Sequence, residues 1–146
     1  MARIRLEHYN LKTRHLAETV AFYTRAVGLR EGFYPGAELG PGAWLYDTDG
    51  TPVVHMQEVT DATFEMVATR TEERLGSLRK RLVPDDLDGT GTIDHIAFAC
   101  DDIDGFRARL HALGVAFREN AVVAAAVRQI FLRDPNGIIL ELNFRD

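Results

Sequence analysis

The chain has 146 residues, 46% hydrophobic and 27% charged, with a formal net charge of −5. That composition suits one globular domain with a sizeable core, and the acidic balance, without a basic stripe, argues against a nucleic-acid partner. Cys100 is the only cysteine, which excludes an intrachain disulfide and points to a reducing compartment; no apolar run matches a signal peptide or a bilayer span, so a cytoplasmic protein with no membrane partner is expected.

Residues 4–11 read as a first strand, with Ile4, Leu6 and His8 on one face. Leu16, Val20, Tyr23 and Val27 follow at helical spacing, and Gly28 supplies the stop. Residues 29–34 suit a second strand, and the Gly/Pro-rich stretch 35–42 is loop. Residues 43–47 and 52–58 form a hairpin around Thr48-Asp49-Gly50. Residues 60–92 form a connection. Within it Leu75, Leu78 and Leu82 predict a short amphipathic helix over 72–82, weakened by Gly76, and 84–91 is loop.

The second half opens on a strand at Ile93-Asp94-His95-Ile96-Ala97-Phe98. Asp102 is a good N-cap for a helix striped by Ile103, Phe106, Leu110 and Leu113 and ended by Gly114. Residues 115–120 give the next strand, and 121–126 are apolar and featureless. The closing hairpin runs through Asp134-Pro135-Asn136-Gly137, whose residue types are those of a tight turn. Past that turn Glu141 stands between Leu140 and Leu142, where a carboxylate either faces solvent or needs a partner for its charge.

The two halves repeat. A shift of 87 positions lays His8 on His95, Trp44-Leu45-Tyr46-Asp47 on Phe131-Leu132-Arg133-Asp134, and Gly50 on Gly137. The first copy then carries one extra residue, after which a shift of 86 lays His55 on Glu141. This is a module present twice, not a solenoid. Each copy reads as βαβββ, so the class is α+β. The boundaries are 1–59 for the first module, 60–92 for the connection and 93–146 for the second, within one domain spanning 1–146.

Five histidines are present. His15 and His111 fall on helix borders and are expected at the surface. His8 and His95 occupy equivalent positions, as do His55 and Glu141. Four such side chains on four strands can converge on the inner face of a curved sheet, and imidazole and carboxylate are ligands a divalent first-row metal accepts. If His55 is not a ligand, its residue type suits acid-base work near neutral pH.

These features resemble the vicinal oxygen chelate superfamily, which includes glyoxalase I, extradiol dioxygenases, and the fosfomycin and bleomycin resistance proteins. The carriers are Leu6-Glu7-His8-Tyr9-Asn10-Leu11, Ala21-Phe22-Tyr23 with Val27-Gly28-Leu29, Asp94-His95-Ile96-Ala97-Phe98, and Phe131 to Gly137 with Leu140-Glu141-Leu142. The resemblance implies paired βαβββ modules forming a cupped mixed sheet with a metal at its centre, held by His8, His55, His95 and Glu141. It also implies a small-molecule substrate and a homodimer. The expected activity is glyoxalase-like lyase or isomerase chemistry, in which the metal chelates two adjacent substrate oxygens as a Lewis acid and Glu141 or His55 moves the proton. The alternatives are an Fe(II)-dependent extradiol-type dioxygenase and a non-catalytic drug- or metabolite-binding protein. Iron, nickel, zinc, manganese and cobalt are not distinguished.

Departures from the pattern bear on the choice. Phe131 follows Ile130 where the dioxygenases carry Tyr, and Val122, Val123 and Ala124 occupy the stretch of their acid-base His. Glyoxalase I has Glu at both fourth-strand positions, against His55 and Glu141 here. Ala124-Ala125-Ala126 cannot supply the potassium loop of the fosfomycin enzymes. Residues 35–42 and 121–127 are expected to border the pocket.

Overall fold

The computed structural model describes residues 6–35, 37, 40–78, 80–91 and 93–145. The chain divides into two compact units, Met1–Leu87 and Asp88–Asp146.

Unit 1 begins with β1 (Tyr9–Thr13). The predicted strand thus starts later than expected: His8 lies just before it, Leu6 is exposed, and Ile4 falls outside the described residues. Helix α1 (Leu16–Phe22) runs into a π-turn at Tyr23–Val27. There the Gly28 and Leu29 amides both donate to the Tyr23 carbonyl, and Gly28 takes φ 96°, a conformation open to glycine at little cost. The sheet is completed by β2 (Arg30–Glu31), β3 (Gly42–Tyr46) and β4 (Pro52–Glu58), in the order β1-β4-β3-β2. Only β1 and β4 run parallel. Alternation decides the faces. Leu11, Ala43, Leu45, Val54 and Met56 are buried, with Tyr23, Ala26 and Val27 of the first helical segment among the same core residues. Asn10, Lys12, Trp44, His55 and Gln57 occupy the alternate positions, which make the open face.

The second strand is two residues long rather than six. The chain leaves the sheet after Gly32, whose amide still donates to the Trp44 carbonyl, and the Tyr46 hydroxyl then holds the Phe33 carbonyl at 2.8 Å. The helix of the connection also differs from expectation. It is α2, Phe64–Leu75, and it ends where residues 72–82 were predicted to be helical. Its buried side is Val67, Ala68 and Thr71, a stripe at i, i+1 and i+4, with Phe64 one turn before. Gly76 takes φ 53° and ends the helix, and Leu78 is almost fully exposed. Phe64, Val67 and Ala68 pack with Val59, Leu82 and Leu87, so α2 is fastened into unit 1.

Unit 2 repeats the plan with β5 (Ile96–Cys100), α3 (Ile103–Ala112), β6 (Phe117–Val122), β7 (Val127–Arg133) and β8 (Ile139–Arg145). The order is β5-β8-β7-β6, again with the first and last strands parallel. Asp102 caps α3 by accepting from the Gly105 amide at 3.0 Å, as its residue type predicts. Ile103, Leu110, Ile130, Leu132, Leu140, Leu142 and Phe144 form the buried side. Each of the longer ones stands to cost about 2–5 kcal/mol if cut back to alanine.

The two hairpin turns match bond for bond. In unit 1 the Asp47 carboxylate accepts from the Asp49 and Thr51 amides at 3.0 and 2.8 Å. In unit 2 the Asp134 carboxylate accepts from the Asn136 and Ile138 amides, both at 2.8 Å. Gly50 and Gly137 sit at φ 79° and 80°. The extra residue of the first copy is visible as well. Leu45 pairs with Val54 and Tyr46 with Pro52, so Val53 is passed over as a bulge, whereas β7 and β8 pair without a break. Because the bulge absorbs the insertion, Trp44 still faces His55 across the ladder just as Phe131 faces Glu141.

Candidate functional site

The open faces of the two sheets carry the predicted site residues. In unit 1 the Trp44 indole and the His55 imidazole stack in parallel, with centroids 4.6 Å apart and planes 1° from coplanar. This follows from their cross-strand pairing, which brings facing side chains close. His8 meets Trp44 edge-on at 4.7 Å. The Tyr34 ring lies 6.1 Å from His55. On the other side of His55, the Asn10 amide donates to Nδ1 at 2.5 Å. A neutral His55 held this way carries its proton on Nε2. Burial lowers the His55 pKa below its ordinary value, and the nearby charges of His8, Lys12 and Arg74 push it the same way.

These residues border a cavity of about 360 Å³. The sheet supplies Asn10, Lys12, Trp44, His55 and Gln57; α2 supplies Val67, Arg70, Thr71 and Arg74; and Tyr34 and Pro35 complete the wall. Pro35 belongs to the loop expected to border a pocket. No carboxylate lines the cavity among the described residues.

In unit 2 the equivalent positions have another chemistry. His95 meets Phe131 edge-on, with centroids 6.0 Å apart, as His8 meets Trp44. His95 Nε2 stands 3.3 Å from Glu141 Oε2. Glu141 is only 8% exposed, so its charge must be compensated. Its other oxygen accepts from the Asn143 amide at 2.5 Å. Asn143 in turn accepts from Gln129 at 3.1 Å, and Gln129 accepts from Asn120 at 2.7 Å. A line of amides thus crosses β6, β7 and β8 and ends on the carboxylate. Sequence reasoning missed it, because it depends on cross-strand register.

Both site histidines are anchored alike. His95 Nδ1 donates to the Asp94 carboxylate at 2.7 Å, and His8 Nδ1 donates to Glu7 at 2.9 Å. A carboxylate on one ring nitrogen fixes the tautomer and leaves the Nε2 lone pair outward, the usual support for a metal-binding imidazole. Adjacent ligand atoms on an ion with bonds of about 2.1 Å lie roughly 3.0–3.4 Å apart. The 3.3 Å between His95 Nε2 and Glu141 Oε2 fits that spacing. Neither unit by itself brings three His, Cys, Asp or Glu side chains together, among the described residues, as a metal site would. His15 and His111 are exposed, as predicted. No helix among the described residues is long and apolar enough to cross a membrane.

Two four-stranded βαβββ modules with histidines at equivalent places define a class of protein. The family model of the Glyoxalase/Bleomycin resistance protein/Dioxygenase superfamily matches residues 5–142, and the chain belongs to that superfamily. Its members commonly use divalent metals, bind small molecules and often form dimers. Among solved structures, the fold is similar to a glyoxalase/dioxygenase from Nostoc punctiforme (TM-score 0.67, 19% identity, covering 97% of this chain and 91% of that one). It is also similar to the fosfomycin resistance protein FosX from Listeria monocytogenes (0.64, 20%, covering 100% and 95%) and to TnmS3, an antibiotic binding protein from Streptomyces sp. CB03234 (0.64, 18%, covering 100% and 99%). No curated protein matches.

Proposed function

We propose that this protein is a divalent-metal-dependent enzyme of the superfamily, acting on a small molecule through two adjacent oxygens in a glyoxalase-like lyase or isomerase reaction. The observation that carries this is the His95–Glu141 pair. With Nδ1 committed to Asp94, a neutral His95 turns a lone pair toward a carboxylate oxygen 3.3 Å away. Two acceptors that close repel unless a cation or a proton lies between them. His95 and Glu141 would each supply one ligand. His8, anchored in the same manner in unit 1, is proposed as a metal-binding imidazole on its donor chemistry and repeat position alone. A bound divalent ion would supply Lewis-acid polarisation of the substrate oxygens.

The chain's own groups would do the rest. Asn143 orients the Glu141 carboxylate through Oε1 and leaves Oε2 for the metal or for a substrate proton. His55, expected from the repeat as a fourth ligand, has Nδ1 occupied by Asn10. Its Nε2–H suits it better to donate a hydrogen bond to a substrate oxygen. We also assign a homodimer, since β1 and β5 each pair on one side only among the described residues, and a bare edge strand is normally covered.

The test is metal uptake. Chelator-treated protein titrated calorimetrically with Zn²⁺, Ni²⁺, Co²⁺ and Mn²⁺ should bind about one ion per chain, with affinity lost in Glu141→Gln. No saturable binding of any of these ions would sink the proposal. In that case the open face of unit 1 favours a binding protein without metal, since its cavity is complete in side chains without one.

A further inference from the structure

We infer that the open face of unit 1 is a binding site for a planar, conjugated small-molecule anion, such as an aromatic carboxylate or an extended enolate. Three observations converge. The first is aromatic lining. Trp44 and His55, stacked face to face on each other, border the cavity together with Tyr34. Aromatic rings, met at face or edge, favour a flat conjugated partner over a bulky saturated one. The second is charge. Lys12, Arg70 and Arg74 line the cavity, and among the described residues no acid does. Neither Arg70 nor Arg74 makes an ion pair among the described residues, so the two guanidinium groups are available, and guanidinium matches a carboxylate in shape as well as in charge. The third is size, since a cavity of about 360 Å³ takes a molecule of one or two rings and not a polymer.

The direction of the arginines also has a structural cause. Arg70 and Arg74 are four residues apart on α2, so they share one helix face. Val67, three residues before Arg70, is buried in the cluster with Val59, Leu82 and Leu87 and also borders the cavity. That packing fixes the rotation of the helix and turns its basic edge toward the sheet. Asn10 and Gln57 add neutral polar groups to the same wall.

The ligand is the substrate only if the metalloenzyme assignment is right; the site itself uses unit 1 alone and needs no metal. Trp44 is the only tryptophan of the chain and borders this cavity, so its fluorescence reports on it, and the titration is run in chelated protein because His8 lies against the same indole. The probe is 4-nitrobenzoate, whose ring quenches indole emission. The comparison ligands are 4-nitrobenzamide, which keeps the ring without the charge, and cyclohexanecarboxylate, which keeps the charge without the ring. We expect saturable quenching by 4-nitrobenzoate, about tenfold weaker binding of the amide, and poor displacement by cyclohexanecarboxylate. In Arg70→Gln/Arg74→Gln, both at exposed positions, the preference for the anion over the amide should shrink about fivefold or more.

Equal affinity for acid and amide, an undiminished preference in the double variant, equal competition by the saturated acid, or purely collisional quenching would each overturn the inference. Running the titration in chelated protein separates it from the metal proposal. Anion binding that survives in protein unable to take up metal upholds this site and removes the metalloenzyme. Metal uptake without anion preference does the reverse.

Discussion

His95 Nε2 and Glu141 Oε2 stand 3.3 Å apart within one unit, joined from behind by Asp94 on the imidazole and Asn143 on the carboxylate. Both members of the pair are therefore held before any ligand arrives. Preorganisation of this kind gives the proposed metal site its first testable property.

Removing His95 or the Glu141 charge should abolish measurable divalent-ion binding, whereas loosening their supports should only weaken it. Asp94→Asn and Asn143→Ala are expected to lower affinity about 10- to 100-fold, as lost supports of metal ligands do. Calorimetric titration of chelated protein reads the difference. Equal affinity in wild type and Asp94→Asn would show that the anchor has no part in binding.

The two turns should respond unequally to the same change. Asp134 is 4% exposed while Asp47 is half-buried, so Asp134→Ala should cost about 2 kcal/mol and Asp47→Ala nearer 1. Glycine separates them further. A Cβ on Gly50 would meet nothing, but one on Gly137 would come within 2.7 Å of the Asp88 carboxylate and 3.1 Å of the Gly89 amide nitrogen. Gly137→Ala should therefore destabilise more than Gly50→Ala. Urea unfolding midpoints of the four variants check both orderings.

His55 should titrate below the ordinary histidine value of 6.5, because burial opposes its charged form and the charges of His8, Lys12 and Arg74 add to that. The sign for stability follows from linkage. Above pH 6.5 His55 is neutral folded and unfolded, and its contribution is complete. As pH falls below 6.5 the unfolded chain takes up the proton first, and stability is lost until the folded-state value is passed. His55→Gln should flatten this acid slope, and ring-proton NMR should place the titration directly. A His55 midpoint above 6.5 would contradict the assignment.

Cys100 should be nearly inert. Burial pushes its thiol up to about 11, with the Asp101 charge adding to the effect. At pH 8 only about one thiol in a thousand is then ionised, and the thiolate is the reactive form. Ellman's reagent should modify the folded chain at least about 100-fold more slowly than the chain in urea. Similar rates in the two states would contradict the burial of this residue.

Much of the frame was legible because it is written in residue types. Asp47 with Gly50 and Asp134 with Gly137 announce the turns, Gly28 and Gly114 announce helix ends, and the shift from 87 to 86 announces the bulge later seen at Val53. Helix α2 was not legible. Leu75, Leu78 and Leu82 offer a more hydrophobic stripe than Phe64, Val67, Ala68 and Thr71, yet Gly76 ends the helix and Leu78 points to solvent. Hydrophobicity alone could not tell which stripe had a surface to bury against. The candidate site divided in the same way. His8, His55, His95 and Glu141 stand out by type and repeat position. The amide line of Asn120, Gln129 and Asn143, and the basic edge of α2, arise from register and helix rotation, which no local pattern encodes.

The duplicated turns and the bulge at Val53 have a consequence for how this chain changes over time. The copies share a chassis whose parts are held by backbone geometry, and a one-residue insertion was absorbed without moving the facing pair. On that chassis one open face became aromatic and basic and the other became a buried carboxylate with its amide train. Inheritance of shape and inheritance of chemistry have come apart. Side chains at the facing positions 44 and 55, and 131 and 141, can differ in chemistry while the turns keep both copies folding alike.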